Sequence, residues 1–353
     1  MTNRLLFVLL LSVCLIGSNA QAGIFGGPKI KIVQLMPSEI NLAGIKRVAI
    51  LPIKFDERDR ILNKIASTVH KHGEGITLIE REQLDRILAE QNLVASELVD
   101  LDSTPDLGAI QGVDALIYGT ATVFSIEDQN YLTEVTWTEY YKEDGEHKTR
   151  KMKATDIKAT KREGNLNLTL KLVAVSTGAI IAQKEFITQS DHTHINHKKS
   201  DKKELLPTEQ HISEQLISAL MSDIAKYMFP FPVRREIELD EKCGTDECKE
   251  AIDMLKMEMF DMADENLTDF LEVVRKRTKK RKEKKGKDQG LAAILYNLGV
   301  AKEAQGDFPA AQDYYKEAIM VTLKKKNKHH KKGYDRVRNH VSSWELYNQK
   351  ATE

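Results

Sequence analysis

The side chains best suited to chemistry are three histidines in the polar stretch 191–203, at His192, His194 and His197. Imidazole nitrogens are ligands for zinc, copper and nickel, and three of them close together can hold one ion. The same spacing is also typical of an exposed loop that happens to be rich in histidine. We predict the exposed loop, with no bound metal, and keep these three residues as the candidate ligands.

No other pattern in the chain is typical of catalysis or of cofactor binding. Gly-x-Ser-x-Gly, His-Glu-x-x-His and phosphate-loop motifs are absent. The segment 52–57, which follows the first apolar run, lacks the glycines that a dinucleotide requires. Acidic residues are spread evenly over helical segments, so no pair stands out as a general acid and base. We therefore predict that the protein is not an enzyme and has no catalytic residues and no cofactor.

The composition is that of a globular protein with room for two domains. Of the 353 residues, 41% are hydrophobic and 30% are charged. The 53 basic and 53 acidic side chains give a formal net charge of zero. Bulk charge therefore indicates no polyanionic partner, and we predict that the protein does not bind nucleic acid.

Residues 1–22 have the layout of a secretory signal peptide. Arg4 supplies the positive charge, residues 5–17 form a short apolar run, and residues 20–22 are a small-x-small cleavage site. We predict cleavage after Ala22. Acylation of Cys14 is the alternative, although this cysteine lies inside the apolar run. We expect a periplasmic protein, with association to the outer membrane as a further alternative.

Two cysteines remain after this processing, Cys243 and Cys248. An exported chain enters an oxidising compartment, where a Cys-x-x-x-x-Cys pair is typical of a local disulfide. Two thiols need two further ligands to hold a metal, and no His or Cys lies nearby in the sequence. We predict the disulfide, and two unpaired thiols near the start of a helix are the alternative.

Residues 46–124 carry the pattern of an alternating α/β core. Short apolar runs predict buried strands, and apolar residues at helical spacing predict helices between them. The order is β-α-β-α-α-β, with segments at 47–55, 59–70, 76–80, 82–91, 105–111 and 115–124. This order predicts an α/β sandwich with at least two parallel strands.

A polar hairpin and a long helix follow the core pattern. Segments of high strand propensity on both sides of a turn at 142–145 predict a hairpin insertion over about 131–164. Residues 165–175 alternate between apolar and polar and predict a strand that pairs with 179–187. Residues 207–228 have apolar side chains at helical spacing, so we expect this helix to pack on the sheet and close the domain.

Segments of this region resemble the CsgG-like family, the curli production and transport components. They lie at 37–41, 44–52, 78–92 and 107–119, in the order that the family shows. The resemblance implies an α/β domain at 37–232, similar to the N-terminal domain of TolB, with residues 23–36 as a leader. It also implies self-association as a ring. In curli-pore members of the family, inserted hairpins build a pore through the outer membrane.

The predicted hairpin differs from a membrane pore in its charge. Strands that cross a membrane present apolar side chains to lipid at alternate positions. Residues 139–151 and 151–161 instead carry a charge at almost every second or third position. We therefore predict that the hairpin is exposed to water. An outer-membrane secretion channel subunit of the curli-export type is the alternative.

The C-terminal part, residues 233–353, predicts a small all-α domain. Residues 297–318 resemble a tetratricopeptide repeat, whose motif residues here are Leu298, Gly299, Gly306, Phe308, Ala311, Tyr315 and Ala318. A less regular repeat before it and a capping helix at 344–350 complete the pattern. Two repeats are few for a stable array, so we expect support from a neighbouring domain or subunit.

Two basic segments interrupt the helical pattern, at 275–287 and 324–332. Basic blocks of this density are typical of solvated loops, and we predict solvated surface for both, including His329 and His330. Contact with anionic lipid or cell-wall polymers is the alternative. Export argues against nucleic acid as the partner.

These features predict an exported cell-envelope protein that assists assembly or secretion. It would form a homo-oligomer and bind protein partners through its tetratricopeptide helices, with peripheral contact to the outer membrane or an anionic polymer as a further alternative. A secretion channel is one alternative. A metal-binding envelope protein that uses His192, His194 and His197 is the other.

Overall fold

A computed structural model describes residues 27–56, 59–90, 112–280, 289–322 and 328–350. The chain forms two compact units. Among the described residues, the α/β unit comprises those of Leu35–Pro232 together with 343–350, and the helical unit comprises 27–34 together with those of Val233–Ser342. The sequence-based division was 37–232 and 233–353, so the structure groups two short segments differently. The predicted signal peptide at 1–22 and the predicted helix at 105–111 lie outside the described residues.

The α/β unit is built on a five-stranded sheet of order β3-β2-β4-β5-β6. Its strands are β2 Arg47–Ile50, β3 Thr77–Ile79, β4 Ala115–Glu143, β5 Glu146–Ala174 and β6 Ile180–Ile195. Strand β2 is parallel to β3 and to β4, whereas β4, β5 and β6 are antiparallel. The predicted α/β organisation with parallel strands is confirmed.

Three helices of this unit are described, namely α1 Arg60–His72, α2 Arg81–Glu90 and α3 Glu209–Met228. The carboxylate of Asp56 accepts hydrogen bonds from the backbone N–H groups of Ile61 and Leu62, at 3.0 and 2.8 Å. These are donors that the first turn of a helix cannot pair internally, so Asp56 fixes where α1 begins. Thr208 caps α3 in the same way by accepting from the backbone N–H of His211.

One face of the sheet forms the larger core of the α/β unit. Alternate residues of β5 are buried on this face because side chains of a strand point to opposite faces in turn. They pack with the apolar stripe of α3 and with α1. The residues concerned are Leu166, Leu168, Leu170, Leu172, Ile212, Leu216, Leu220, Ile224, Ile61 and Ile65. Helix α3 therefore packs on the sheet as its sequence predicts.

The helical unit combines a strand pair with five helices among its described residues. The pair is β1 Lys29–Met36 with β7 Phe231–Glu238. The helices are α4 Asp246–Lys256, α5 Phe260–Lys280, α6 Gln289–Ala304, α7 Phe308–Thr322 and α8 Lys328–Gln349. Helices that are consecutive from α4 to α7 contact one another. Residues of α8 from Ser343 onward are grouped with the α/β unit.

Three expectations differ from the structure. Strands β4 and β5 each run through the segments that we expected to be separate strands. Residues 275–280 of the first basic segment are helical, because α5 extends to Lys280, and the remainder to 287 lies outside the described residues. His330 of the second basic segment is buried, not solvated, because it packs on Tyr296.

None of the helices in the described residues combines the length and hydrophobicity that a membrane-spanning helix needs.

Candidate interaction surface and site residues

The β4–β5 hairpin extends far beyond the rest of its sheet. Strands β4 and β5 pair from Ala115 opposite Ala174 to Glu143 opposite Glu146. Strand β6 accompanies β5 only as far as Ala159. From there to the turn the sheet has two strands, which is a distance of about 40 Å at the usual rise per residue. We call this two-stranded part, residues 131–159, the hairpin extension.

The turn of the hairpin extension follows directly from its sequence. Asp144 and Gly145 both have positive φ, at 51° and 84°. Two such residues in succession twist in the sense that joins antiparallel strands, and Asp-Gly is a preferred pair for this purpose. The pairing also shows register shifts between Ala121 and Val123 and between Thr133 and Val135. The first shift adds one residue to β4 before the extension begins.

Charged side chains of the hairpin pair with each other across the two strands. Arg150 lies 2.6 Å from Glu139, and Lys153 lies 2.6 Å from Glu134. Nearer the core, Arg162 donates two hydrogen bonds of 2.6 Å to the carboxylate of Asp128. These bonds hold the pKa of Asp128 below its usual value. Arg150 and Arg162 lie directly opposite Glu139 and Asp128 in the register, and opposite charges in such positions stabilise the pairing of the two strands.

The hairpin extension also exposes large apolar side chains. Leu132 is 63% exposed and Tyr140 is 77% exposed. Val135, in contrast, is buried, and the ring of Trp137 lies 5.3 Å from the ring of His197. The neighbouring edge strand β6 exposes Ile187 as well, at 57%. A two-stranded ribbon is marginally stable in water by itself, which makes this extension the candidate interaction surface.

The three histidines proposed from the sequence are not among the groups of possible ligands that the described residues bring together. Nε2 of His192 lies 3.1 Å from Oγ of Ser190, and Nδ1 of His194 lies 2.8 Å from the carbonyl oxygen of Glu204. His197 packs against Trp137 instead. Strand alternation places His192 and His194 on the face of the sheet that carries α3, opposite Arg162 and Thr160 on β5.

A different trio of possible ligands is brought together in the helical unit. Oδ2 of Asp240, which follows β7, lies 3.2 Å from Nε2 of His329 and 2.8 Å from Nε2 of His330. Among the described residues, this is the one group of three such side chains whose ligand atoms all lie within 4.8 Å of one another. Burial tends to raise the pKa of Asp240, but hydrogen bonds with both histidines lower it below its usual range. Sequence reasoning missed the group because its members are about ninety positions apart.

The residues of the predicted tetratricopeptide motif lie in the helical hairpin α6–α7. A Cβ on Gly299 would lie 2.7 Å from the ring of Tyr315, so only glycine permits this approach of the two helices. Gly306, with φ of 81°, lies in the turn between them. The other motif residues pack into the core of the unit, namely Leu298, Phe308, Ala311, Tyr315 and Ala318. The packing is that of two antiparallel helices with a short turn.

Cys243 and Cys248 form a disulfide in the structure, with their Cα atoms 6.1 Å apart. The bridge closes the turn between Asp240 and the start of α4. Thr245 caps this helix by accepting a hydrogen bond from the backbone N–H of Cys248. The disulfide and the cap therefore fix the same short loop.

Residues 74–226 match the family model of the curli production assembly/transport component CsgG. This match covers most of the α/β unit, including the whole β4–β5 hairpin. The chain thus carries a CsgG-family domain over these residues, while the helical unit lies outside the match. No curated protein matches the chain.

Three solved structures share a weak likeness with the chain. Lipoprotein GNA1162 from Neisseria meningitidis is 12% identical, with 51% of this chain and 97% of that one covered and a TM-score of 0.26. The PelC dodecamer from Paraburkholderia phytofirmans is 14% identical, with 56% and 98% covered and a TM-score of 0.22. The hypothetical protein CT253 from Chlamydia trachomatis is 10% identical, with 52% and 98% covered and a TM-score of 0.27. At these TM-scores the likeness carries no argument about fold or function.

Proposed function

We propose that the protein is an exported component of the cell envelope, periplasmic or peripherally attached to the outer membrane, that assists secretion or assembly without catalysis. It acts by forming a homo-oligomer through the hairpin extension and by binding a protein partner with its helical unit. The match of residues 74–226 to a family of transport and assembly components supports the secretion-associated role.

The hairpin extension is the observation that carries the proposal of self-association. It is about 40 Å of two-stranded sheet that exposes Leu132 and Tyr140. Burial of an exposed apolar side chain stabilises a contact by about 1.5–3 kcal/mol, and a free ribbon gains none of this. A second copy of the same chain would supply both the apolar cover and complementary charges, since the extension carries both signs.

Unpaired strand edges provide a second reason for self-association. Within the described residues, β2 pairs with β4 only over Ala115–Ile117, and an isolated bridge joins Lys54 to Thr120. The described pairing therefore leaves the outer edge of β4 open beyond Ala121. It leaves the outer edge of β6 open up to Ile195, whose backbone N–H donates to the carbonyl oxygen of Lys202. Open edges are sites where another strand can add. Neighbouring copies that pair in this way would form a ring or another closed oligomer.

The helical unit is proposed as a tetratricopeptide-like module that binds an envelope protein. The helical hairpins α4–α5 and α6–α7 follow each other in the chain, and α5 contacts α6. Stacked helix pairs of this kind create surfaces for extended partner segments. The basic segment 275–287 is proposed, from its composition, to contact anionic lipid or polymer at the envelope.

Light scattering of the chain without residues 1–22, in detergent-free buffer, tests the self-association. We expect a monodisperse oligomer. A variant in which Asn-Gly replaces residues 134–156 joins Thr133 to Ile157, which are paired across the hairpin, and should be a folded monomer. A monomeric wild type, or an oligomer that survives the deletion, would contradict the proposal.

Two further variants keep the full length of the hairpin and test whether its exposed apolar side chains hold the oligomer together. The double change Leu132→Ser and Tyr140→Ser should dissociate the oligomer while leaving the strand pairing intact. The control Met320→Ser removes an apolar side chain that is also more than half exposed, at 57%, but lies in the helical unit, and it should leave the oligomer unchanged. Aggregation that detergent reverses would instead favour the secretion channel.

A further inference from the structure

Asp240, His329 and His330 lie together in the helical unit, with their possible ligand atoms all within 4.8 Å of one another, and hydrogen bonds fix the position of Asp240. The side chain of Asn297 on α6 accepts from the backbone N–H of Asp240 at 3.0 Å and donates to its carbonyl oxygen at 2.9 Å. The backbone N–H of Lys242 donates to Oδ1 of Asp240 at 3.0 Å. The other carboxylate oxygen, Oδ2, is the one that faces the two histidines.

An aromatic side chain orients the two imidazoles. The ring of Tyr296 stacks on His330 with centroids 4.6 Å apart and meets His329 edge-on at 4.9 Å. The hydroxyl of Tyr296 donates to the carbonyl oxygen of Glu238, so the ring itself is fixed. Supporting contacts of this kind hold the ligands of a metal ion in the geometry that the ion needs.

The two distances from Asp240 Oδ2 to the histidine nitrogens are close to those between the ligands of one metal ion, and the third separation is at most 4.8 Å. Ligand atoms at about 2.0–2.1 Å from a tetrahedral ion lie about 3.3 Å from one another. The two distances from Asp240 Oδ2, 3.2 and 2.8 Å, require shifts of only a few tenths of an ångström to reach this value. One carboxylate and two imidazoles are a ligand set that suits zinc and neighbouring divalent transition metals.

The three side chains differ in exposure, and the more exposed one leaves a route by which an ion could enter. The side chains of Asp240 and His330 are 3% and 1% exposed, whereas that of His329 is 23% exposed. An ion would reach the three side chains from the side of His329, and a water molecule from that side would complete four ligands.

We propose that Asp240, His329 and His330 form a binding site for a divalent transition-metal ion of the zinc class. The ion would join the end of β7 to the start of α8, which are 89 positions apart in the chain. Closing so long a loop stabilises the folded helical unit. The site is separate from His192, His194 and His197 in the α/β unit.

Calorimetric titration of the chelator-treated chain with Zn²⁺ tests the site. We expect one ion bound per chain and a higher midpoint of thermal unfolding in its presence. His329→Gln should weaken the binding by at least about 100-fold, the upper end of what loss of a mere supporting contact costs. Because His329 is partly exposed, this variant should remain folded, and its thermal midpoint should no longer respond to Zn²⁺.

A matched control uses the other histidines of the chain. The triple change His192→Asn, His194→Asn and His197→Asn should leave the Zn²⁺ affinity and the thermal response as in the wild type. Asp240→Asn should lose both, like His329→Gln. The proposal is overturned if the wild type binds no Zn²⁺, or if the triple variant loses the binding that His329→Gln retains.

Discussion

Arg336 holds the buried carboxylate of Glu303 in an ion pair made of two parallel hydrogen bonds. Nε and Nη2 of the arginine each lie 2.6 Å from one of the carboxylate oxygens. Glu303 also accepts from the hydroxyl of Tyr315 and from the side-chain amide of Gln34, both at 2.6 Å. Four elements of the helical unit, β1, α6, α7 and α8, thus converge on one carboxylate that is closed to solvent.

Glu303→Gln is expected to lower the free energy of unfolding by about 3–5 kcal/mol, because it leaves the buried arginine charge without a counter-charge. Urea denaturation followed by circular dichroism measures the change. Glu272→Gln is the control, since its ion pair with Lys276 is exposed on α5, and it should change stability by less than about 0.5 kcal/mol. If the two changes lowered the free energy of unfolding equally, burial of the Glu303–Arg336 ion pair would make no difference to stability.

Gly299→Ala is expected to destabilise the helical unit although alanine favours helices. The added methyl group would lie 2.7 Å from the ring of Tyr315, and overpacking of this kind costs about 1–3 kcal/mol. If the methyl group did not meet the ring, replacing glycine by alanine would stabilise the helix by about 1 kcal/mol. A cycle with Tyr315→Leu separates the terms, because the alanine should be tolerated better once the ring is gone. Additive effects in urea denaturation would argue against the contact.

The disulfide between Cys243 and Cys248 can be tested on a single peptide. Trypsin cleaves after Lys242 and Lys249, so both cysteines fall in one fragment. Without reduction, that fragment should resist alkylation and weigh two hydrogen masses less than its reduced form. The double change Cys243→Ser and Cys248→Ser should lower the free energy of unfolding by about 2 kcal/mol, given the short loop. Alkylation of the unreduced fragment would contradict the bridge.

Acid is expected to weaken the helical unit through His340. Burial lowers the pKa of His340, Arg235 on β7 lowers it further, and Glu303 on α6 opposes them. Below pH about 6.5 the unfolded chain therefore binds a proton that the folded chain does not. The free energy of unfolding should fall as the pH drops from 7 to 5, by at most about 1.4 kcal/mol per pH unit for this residue.

The matched comparison for this pH dependence uses two variants. His340→Gln should reduce the slope of stability against pH, while His147→Gln, in an exposed position at the tip of the hairpin extension, should leave it unchanged. Some slope should persist in His340→Gln, because burial also lowers the pKa of His72 on α1. An unchanged slope in His340→Gln would contradict the assignment.

The sequence predicts the secondary structure of the α/β unit well, because the period of its buried residues is local. Leu166, Leu168, Leu170 and Leu172 alternate as a half-buried strand must, and the structure buries all four. The joining of the core strands to the hairpin was not predictable in this way. The first part of β4 is apolar and buried, whereas the later part is polar and exposed. In the sequence, this change from apolar to polar residues resembles the end of a strand.

Contacts between distant residues explain what the sequence could not show. His330 lies in a basic run whose composition is that of solvated surface, and its burial depends on Tyr296 and Asp240, which are distant in the chain. The pairing of Glu303 with Arg336 has no local signature either, because charged residues are common on helices. Burial of such side chains is a property of the tertiary structure.

The extra residue that β4 carries between Ala121 and Val123 restricts how this protein can change in length. Before it, odd-numbered residues such as Ile117 face the core beneath α3, and after it even-numbered residues such as Ile126 do so. Because the outward face of a strand depends on this count, an insertion of one residue in either strand would exchange the two faces of that strand beyond the insertion. Homologous chains should therefore vary here by two residues per strand at a time, and grafts of the ribbon onto other scaffolds must keep the same parity.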